Sequence, residues 1–301
     1  MSPRLGAALS GHWLALDAIL RLARLADELG FEALFVDGDE TALDARGRAP
    51  LYDGPALGQA ALHATERVRV GAIRLPGFAH PVLLARNLAT QQQLSGGRAL
   101  AFFGIGSGRH LARLGLAHLA PADRIGWLDE TLAALRALLA GHEVSADGPH
   151  VRLDRVRSAP ADPPPPLIVA AAGPRALRLA ARRADILDAN VPPLRECVEP
   201  LREQLGRSME TWIWVFARPD ASAADALAAY RKLCPWFAGY PPQRLERAVL
   251  CGDPAHWSSR LAELRSELAI DLPVVDLSGL DEAAARRALE ALAPAKRPGM
   301  S

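Results

Sequence analysis

Cysteine is scarce in this 301-residue chain: Cys197, Cys234 and Cys251 stand far apart, with no Cys-x-x-Cys pair and no Cys/His spacing. That argues against a disulfide framework and against a structural zinc, so no metal site is expected and the thiols read as buried and inert. An excess of either charge is also missing, since 35 basic residues face 34 acidic ones and the formal net charge is +1. Without a basic stripe, nucleic acid is not an expected partner; without an acidic tail, no disordered extension is expected. The first residues lack the charged start and apolar run of a secretion signal. No window approaches the roughly 18 uncharged apolar residues of a membrane span, so the chain reads as a cytoplasmic protein with no membrane partner. An internal repeat of the solenoid kind is absent as well.

What is present is alternation. Half of the residues are hydrophobic, enough to bury one large barrel or two small domains. Short apolar runs at 5–9, 31–36, 68–73, 98–103, 167–171, 184–190, 211–217 and 272–277 read as strands. Segments with helical periodicity stand between them, at 14–29, 55–65, 82–94, 123–140, 173–183, 193–205, 221–233 and 281–292. Strand then helix, eight times over, predicts a (β/α)8 TIM barrel spanning 1–301 as one domain, with an open doubly wound sheet as the competing architecture. Extra material follows strands 4 and 7 of this count. The first insertion holds a hairpin signal around Asp147-Gly148 and the stiff run Pro163–Pro166.

One stretch organises the rest. His80-Pro81 opens a helix, because proline is tolerated in the first turn. Ser95-Gly96-Gly97 ends it, and Arg98-Ala-Leu-Ala-Phe-Phe103 runs straight into Gly104-Ile105-Gly106-Ser107-Gly108. A nearly continuous apolar strand belongs in a parallel sheet covered on both faces. A glycine-rich turn at its C-terminal end lets a ligand approach the backbone closely; a flexible loop is the competing reading. Later, Ala172-Gly173-Pro174 ends one strand and opens a helix, baring amides at a positive helix terminus, with Arg175 and Arg178 near enough to add charge. A plain helix start with surface arginines competes with that anion site.

These motifs, in this order and spacing, resemble the bacterial-luciferase-like family of flavin and deazaflavin oxidoreductases. The resemblance rests on His80-Pro81, Leu94-Ser-Gly-Gly-Arg98 and Gly104–Gly108, and on the helix Leu128-Asp-Glu-Thr-Leu-Ala-Ala-Leu-Arg-Ala-Leu138. The segment Pro165–Asp185 and the turn Cys251-Gly-Asp-Pro254 extend it over most of the chain. The Gly-Pro-Arg segment is most similar to the methylene-tetrahydromethanopterin-reductase branch.

The resemblance implies a luciferase-like barrel binding reduced coenzyme F420, with hydride transfer to a C=N or C=C bond of a small-molecule substrate. An FMN-dependent monooxygenase and a non-catalytic flavin-binding relative are the alternatives. It implies cofactor contacts at Ala72, Ile73, Gly104, Gly106, Ser107, Gly108, Ala172, Gly173, Pro174 and Arg175. It also implies a non-prolyl cis peptide at Ala72-Ile73 and a homodimer. Ser107 stands where some flavin monooxygenases carry a phosphate-binding arginine. Relatives often end strand 2 with Asp-His; here Val36-Asp37-Gly38-Asp39 stands there, and Arg109-His110 follows the glycine turn in place of a carboxylate. Asp37 or Asp39 is then the expected proton donor, because an apolar cleft raises a carboxyl pKa, and His12 is a third candidate. A solvated turn is the competing role for the two aspartates, and a surface or packed position for the histidine. Trp212, Trp214, Trp236, Phe237 and Tyr240 read first as core packing.

Overall fold

The computed structural model describes residues 4–10, 13–37, 52–75, 77–106, 120–206, 208–233 and 239–293. The strands are β1 (Gly6–Ser10), β2 (Ala33–Asp37), β3 (Arg69–Arg74), β4 (Ala99–Phe103), β5 (Val144–Asp147), β6 (Arg152–Val156), β7 (Leu167–Ala171), β8 (Ile186–Ala189), β9 (Glu210–Pro219), β10 (Val249–Gly252) and β11 (Leu272–Asp276). Eight of them pair in parallel around a closed ring, in the order β1-β2-β3-β4-β7-β8-β9-β11. Ile186↔Glu210 joins β8 to β9, and Gly6↔Val274 closes β11 onto β1.

The helices are α1 (Leu16–Leu29), α2 (Gly54–Ala64), α3 (Pro81–Leu94), α4 (Pro121–Leu139), α5 (Pro174–Arg183), α6 (Arg195–Leu205), α7 (Ala223–Leu233), α8 (Trp257–Leu268) and α9 (Glu282–Ala291). They cover the outside, so β1, β4, β7, β8 and β11 are buried at every residue. This is why those strands read as unbroken apolar runs rather than as alternating ones.

Alternate side chains point inward. Ala8, Phe35, Phe102, Ile186, Trp212 and Val274 belong to one interior cluster. Phe35 sits at its centre, with ring centroids 5.2 Å from Phe102 and 5.7 Å from Trp212. The lower barrel is therefore a packed core and not a pore.

The Leu94–Arg98 motif holds the frame. Ser95-Gly96-Gly97 ends α3, with both glycines at positive φ (65° and 94°), where a side chain would be strained. Arg98 then lies at the N-terminal end of β4. Its guanidinium donates to the carbonyls of Leu62, Thr65, Val68 and Ser95 at 2.8–3.0 Å. These include the last carbonyls of α2, which an isolated helix would leave to water. Asp27 does the converse, accepting from the amides of Glu66, Arg67 and Val68 at 2.9, 2.9 and 2.6 Å.

Both insertions are present. The segment between β4 and β7 carries α4 and the β5-β6 hairpin. The segment between β9 and β11 carries α7, a helical turn at Pro242–Leu245, β10 and α8. Here the structure departs from the simple alternation. Residues 249–252 form an additional strand outside the ring, paired with the far half of β9 (Val249↔Phe216, Gly252↔Pro219). β9 spans ten residues, so its first half closes the barrel and its second half offers the edge that β10 takes. Among the described residues no helix is long and apolar enough to cross a membrane. Cys197 and Cys251 are free and half-buried, and burial is the first cause that pushes the Cys197 thiol up.

Candidate functional site

β4 and β7 are parallel neighbours in register at Phe103↔Val169, so the turns after them leave the barrel at the same end. Gly104 is buried there. A Cβ on it would come within 2.9 Å of Ile73 Cδ1 and 3.2 Å of Leu75 Cδ2. Gly106, at φ +71°, would bring a Cβ within 3.2 Å of Leu75 Cδ1. Three predicted residues, Ile73, Gly104 and Gly106, are thus brought together, with main chain lying where side chains would otherwise stand.

The second turn forms the rim. Ala172, Gly173, Pro174 and Arg175 are all exposed. Gly173 caps α5 without a side-chain hydrogen bond, and Pro174 is its first residue. The first-turn amides are therefore left for water or a ligand, at the positive end of the helix. Arg178, one turn on, is exposed too.

Two expectations on β3 need correction. Ala72 does not face the barrel mouth: its methyl packs outward, so that a Cβ on Gly58 of α2 would meet Ala72 Cβ at 3.0 Å. Nor is Ala72-Ile73 cis; the cis bond among the described residues is Asp162-Pro163. Ala72 and Ile73 keep register with Ala101 and Phe102 of β4, and the ladder continues to Arg74↔Phe103. An uninterrupted ladder leaves no room for a bulge. His12, Asp39, Ser107 and Gly108 lie outside the described residues, as do Trp236 and Phe237. Asp37 ends β2, and its side chain is likewise outside them.

The floor between the turns holds residues that the motifs did not reveal. Ile73 and Trp214 face inward yet are only partly buried, so the packed core ends at their level. Asp188 lies there on β8, in register with Ala170 and Trp212 and 6% exposed. Burial pushes its carboxyl up to about 8, against the opposing effect of a hydrogen bond from the Trp214 indole. Its Oδ1 has no hydrogen-bond partner among the described residues. Asp276 ends β11 and is 7% exposed; burial raises its carboxyl, while Ser278 and Arg218 work in the other direction. The Ser278 amide donates to it at 2.9 Å. Arg218 stacks 4.1 Å from the Phe216 ring centroid and donates to the Ser278 carbonyl at 2.5 Å.

A sequence signal for both acids existed. Each interrupts an otherwise apolar strand, at Ile186-Leu-Asp-Ala189 and Leu272-Pro-Val-Val-Asp276. Counting in twos from the inward Ile186 and Val274 places both inside the barrel. Among the described residues no cluster of His, Cys, Asp and Glu could hold a metal ion.

Known proteins resemble this chain in sequence and in fold. The F420-dependent glucose-6-phosphate dehydrogenase of Beutenbergia cavernae is 36% identical over 187 residues, covering 60% of this chain and 55% of that enzyme. The chain thus spans about half the length of that relative. An F420-dependent secondary alcohol dehydrogenase, solved with an F420-acetone adduct, superposes with a TM-score of 0.79 at 20% identity, over 97% of this chain and 98% of that one. The coenzyme F420-dependent tetrahydromethanopterin reductase of Methanopyrus kandleri gives a TM-score of 0.74 at 19% identity, over 98% and 99%. At that identity the likeness is one of fold. The description "luciferase-like monooxygenase" matches residues 2–270, and the chain belongs to that family.

Proposed function

We propose that the protein is an oxidoreductase that binds coenzyme F420 and directs hydride transfer to a C=N or C=C bond of a small metabolite. One observation carries the reading. Gly104 is pressed against Ile73 at the same end of the barrel as the uncapped start of α5. A cradle that a single Cβ would fill suits a flat ring system lying against main chain. An uncapped helix start flanked by Arg175 suits the coenzyme's phosphate. The relatives named for their use of F420 support this coenzyme over FMN.

In this reading Ile73, Gly104 and Gly106 back the ring, and Ala172, Gly173, Pro174 and Arg175 hold the phosphate end. When bound, the coenzyme supplies the hydride. The chain's own residues orient the partners, and the aromatic floor of Phe35, Phe102 and Trp214 keeps water from below. Leu83 and Leu94, 58% and 67% exposed on α3, support a homodimer. A cytoplasmic setting completes the proposal.

The test is a titration of the purified chain with F420, read by coenzyme fluorescence, and with FMN. Saturable F420 binding that Gly104→Val weakens is the expected result. Binding of FMN alone, with oxygen uptake on reduction, would favour a monooxygenase, the activity that gives the family its name. Binding of neither would favour a non-catalytic relative.

A further inference from the structure

Asp188 is not where a barrel needs an acid. The surrounding inward side chains, Ala170, Ile186 and Trp212, are apolar. No ion pair joins Asp188 among the described residues, and the Trp214 indole is the donor that works on its carboxyl against burial. A bare carboxylate in such surroundings is costly, whereas the neutral acid is tolerated. An indole N–H can only donate, so the oxygen it meets must accept. In the neutral acid the carbonyl oxygen is the stronger acceptor, which assigns the hydroxyl to the other oxygen, Oδ1. Oδ1 is buried and has no partner among the described residues. Asp188 is in register with the buried Trp212, two residues before the partly buried Trp214.

The geometry points to Asp188 as a neutral carboxylic acid whose Oδ1–H donates a hydrogen bond to a carbonyl or imine lone pair of the molecule bound in the barrel mouth. The inference rests on the reading that this mouth binds a coenzyme and a substrate. It adds a chemical class: the bound group presents a lone pair, not an N–H or an ammonium. On a substrate carbonyl or imine, a hydrogen bond to that lone pair draws electron density from the adjacent carbon and favours its acceptance of hydride; on a coenzyme carbonyl it fixes the position of the ring. The lone pair can belong to a carbonyl of the coenzyme ring or to the substrate. Burial that holds the Asp188 carboxyl up at about 8 agrees with a proton retained at neutral pH.

Infrared difference spectra of the full chain, wild type minus Asp188→Asn, test this without turnover. A protonated-carboxyl band at neutral pH, present in the wild type alone, is the expected result. Coenzyme F420 is added first and cyclohexanone, as a carbonyl probe, second. A shift of the band to lower frequency at the first addition assigns the lone pair to the coenzyme, and a shift only at the second assigns it to the substrate. A carboxylate signature at neutral pH, or a band that no addition moves, overturns the inference. Coenzyme affinity is followed in parallel by fluorescence. If F420 does not bind but FMN shifts the band, the donor role stands and the F420 assignment falls. Should Asp188→Asn fail to fold, carbon-13 spectra of aspartate-labelled wild type read the same protonation state.

Discussion

The two ends of the barrel treat buried charge in opposite ways. At the N-terminal end, Glu32 holds Arg4 and Arg69 at 2.5 and 2.7 Å, and Arg4 reaches Glu210 at 2.9 Å. Asp27, Asp185 and Asp271 each accept from a strand-leading amide, and Arg98 gathers the carbonyls that end α2. At the C-terminal end, Asp188 keeps one oxygen without a partner, and burial raises both Asp188 and Asp276. The carboxylates and the guanidinium named at the first end all have partners, whereas Asp188 at the second keeps an oxygen that agrees with the proposed contact to a bound molecule.

The contrast predicts that mutations at the two ends break different things. Arg98→Ala removes five side-chain hydrogen bonds and leaves several carbonyls unpaired. Urea unfolding should show a loss of about 3 kcal/mol, with F420 affinity per folded molecule unchanged. A loss of affinity at full stability would refute the division.

Asp188→Asn should act in the opposite direction on stability, and only at high pH. Burial pushes the native carboxyl up to about 8, against an ordinary value of 3.8. Below the ordinary value both native and unfolded chains hold the proton, and nothing is lost. As pH climbs toward 8 the unfolded chain releases its proton while the native one keeps it, so stability falls; above 8 the deficit is constant. The variant should therefore gain about 2 kcal/mol over wild type at pH 9 and nothing at pH 4. Equal stability of the two proteins across that range would mean the acid is not buried as described.

Gly104→Val probes the cradle. Its side chain would enter within 2.9 Å of Ile73. Because Cδ1 of Ile73 can move, the fold should survive while F420 binding weakens about tenfold, or ~1.4 kcal/mol. The smallest effect belongs to Gly173→Ala. A Cβ there meets nothing within 4 Å, and the backbone φ of −88° suits any residue. Thermal unfolding should be unchanged or improved by about 0.5 kcal/mol. A large loss would show that the rim is more tightly filled than the structure indicates.

The barrel was legible because its signals are local. Apolar runs of strand length, separated by helical periodicity, are written residue by residue, and the capping at His80-Pro81 and Gly30 appears in the structure as the sequence has it. The extra strand β10 was not legible. Val249–Gly252 is a strand only because the end of β9 offers it an edge. The Leu94–Arg98 motif carried the family resemblance, but its place at the far end from the mouth emerges only when α2, α3 and β4 are packed together.

The acids show the same limit. Asp37 and Asp39 were singled out because they stand where related chains carry Asp-His, and His12 because it follows the first strand at the same barrel face, arguments from position along the chain. Asp188 emerges from position across it: the closing pair β8–β9 sets Trp214 beside it, 26 residues further on, and removes it from water.

By itself the sequence determined the number and order of the eight barrel strands, the parallel sheet and the glycine turns, since strand propensity, burial on both faces and turn chemistry are properties of short stretches. Only the tertiary structure decided which end of the barrel each motif occupies and which carboxyl is left without a partner. Closing the ring brings residues far apart in sequence to one level of the interior, and it is the loss of water there, not the residue type, that gives an aspartate its proton.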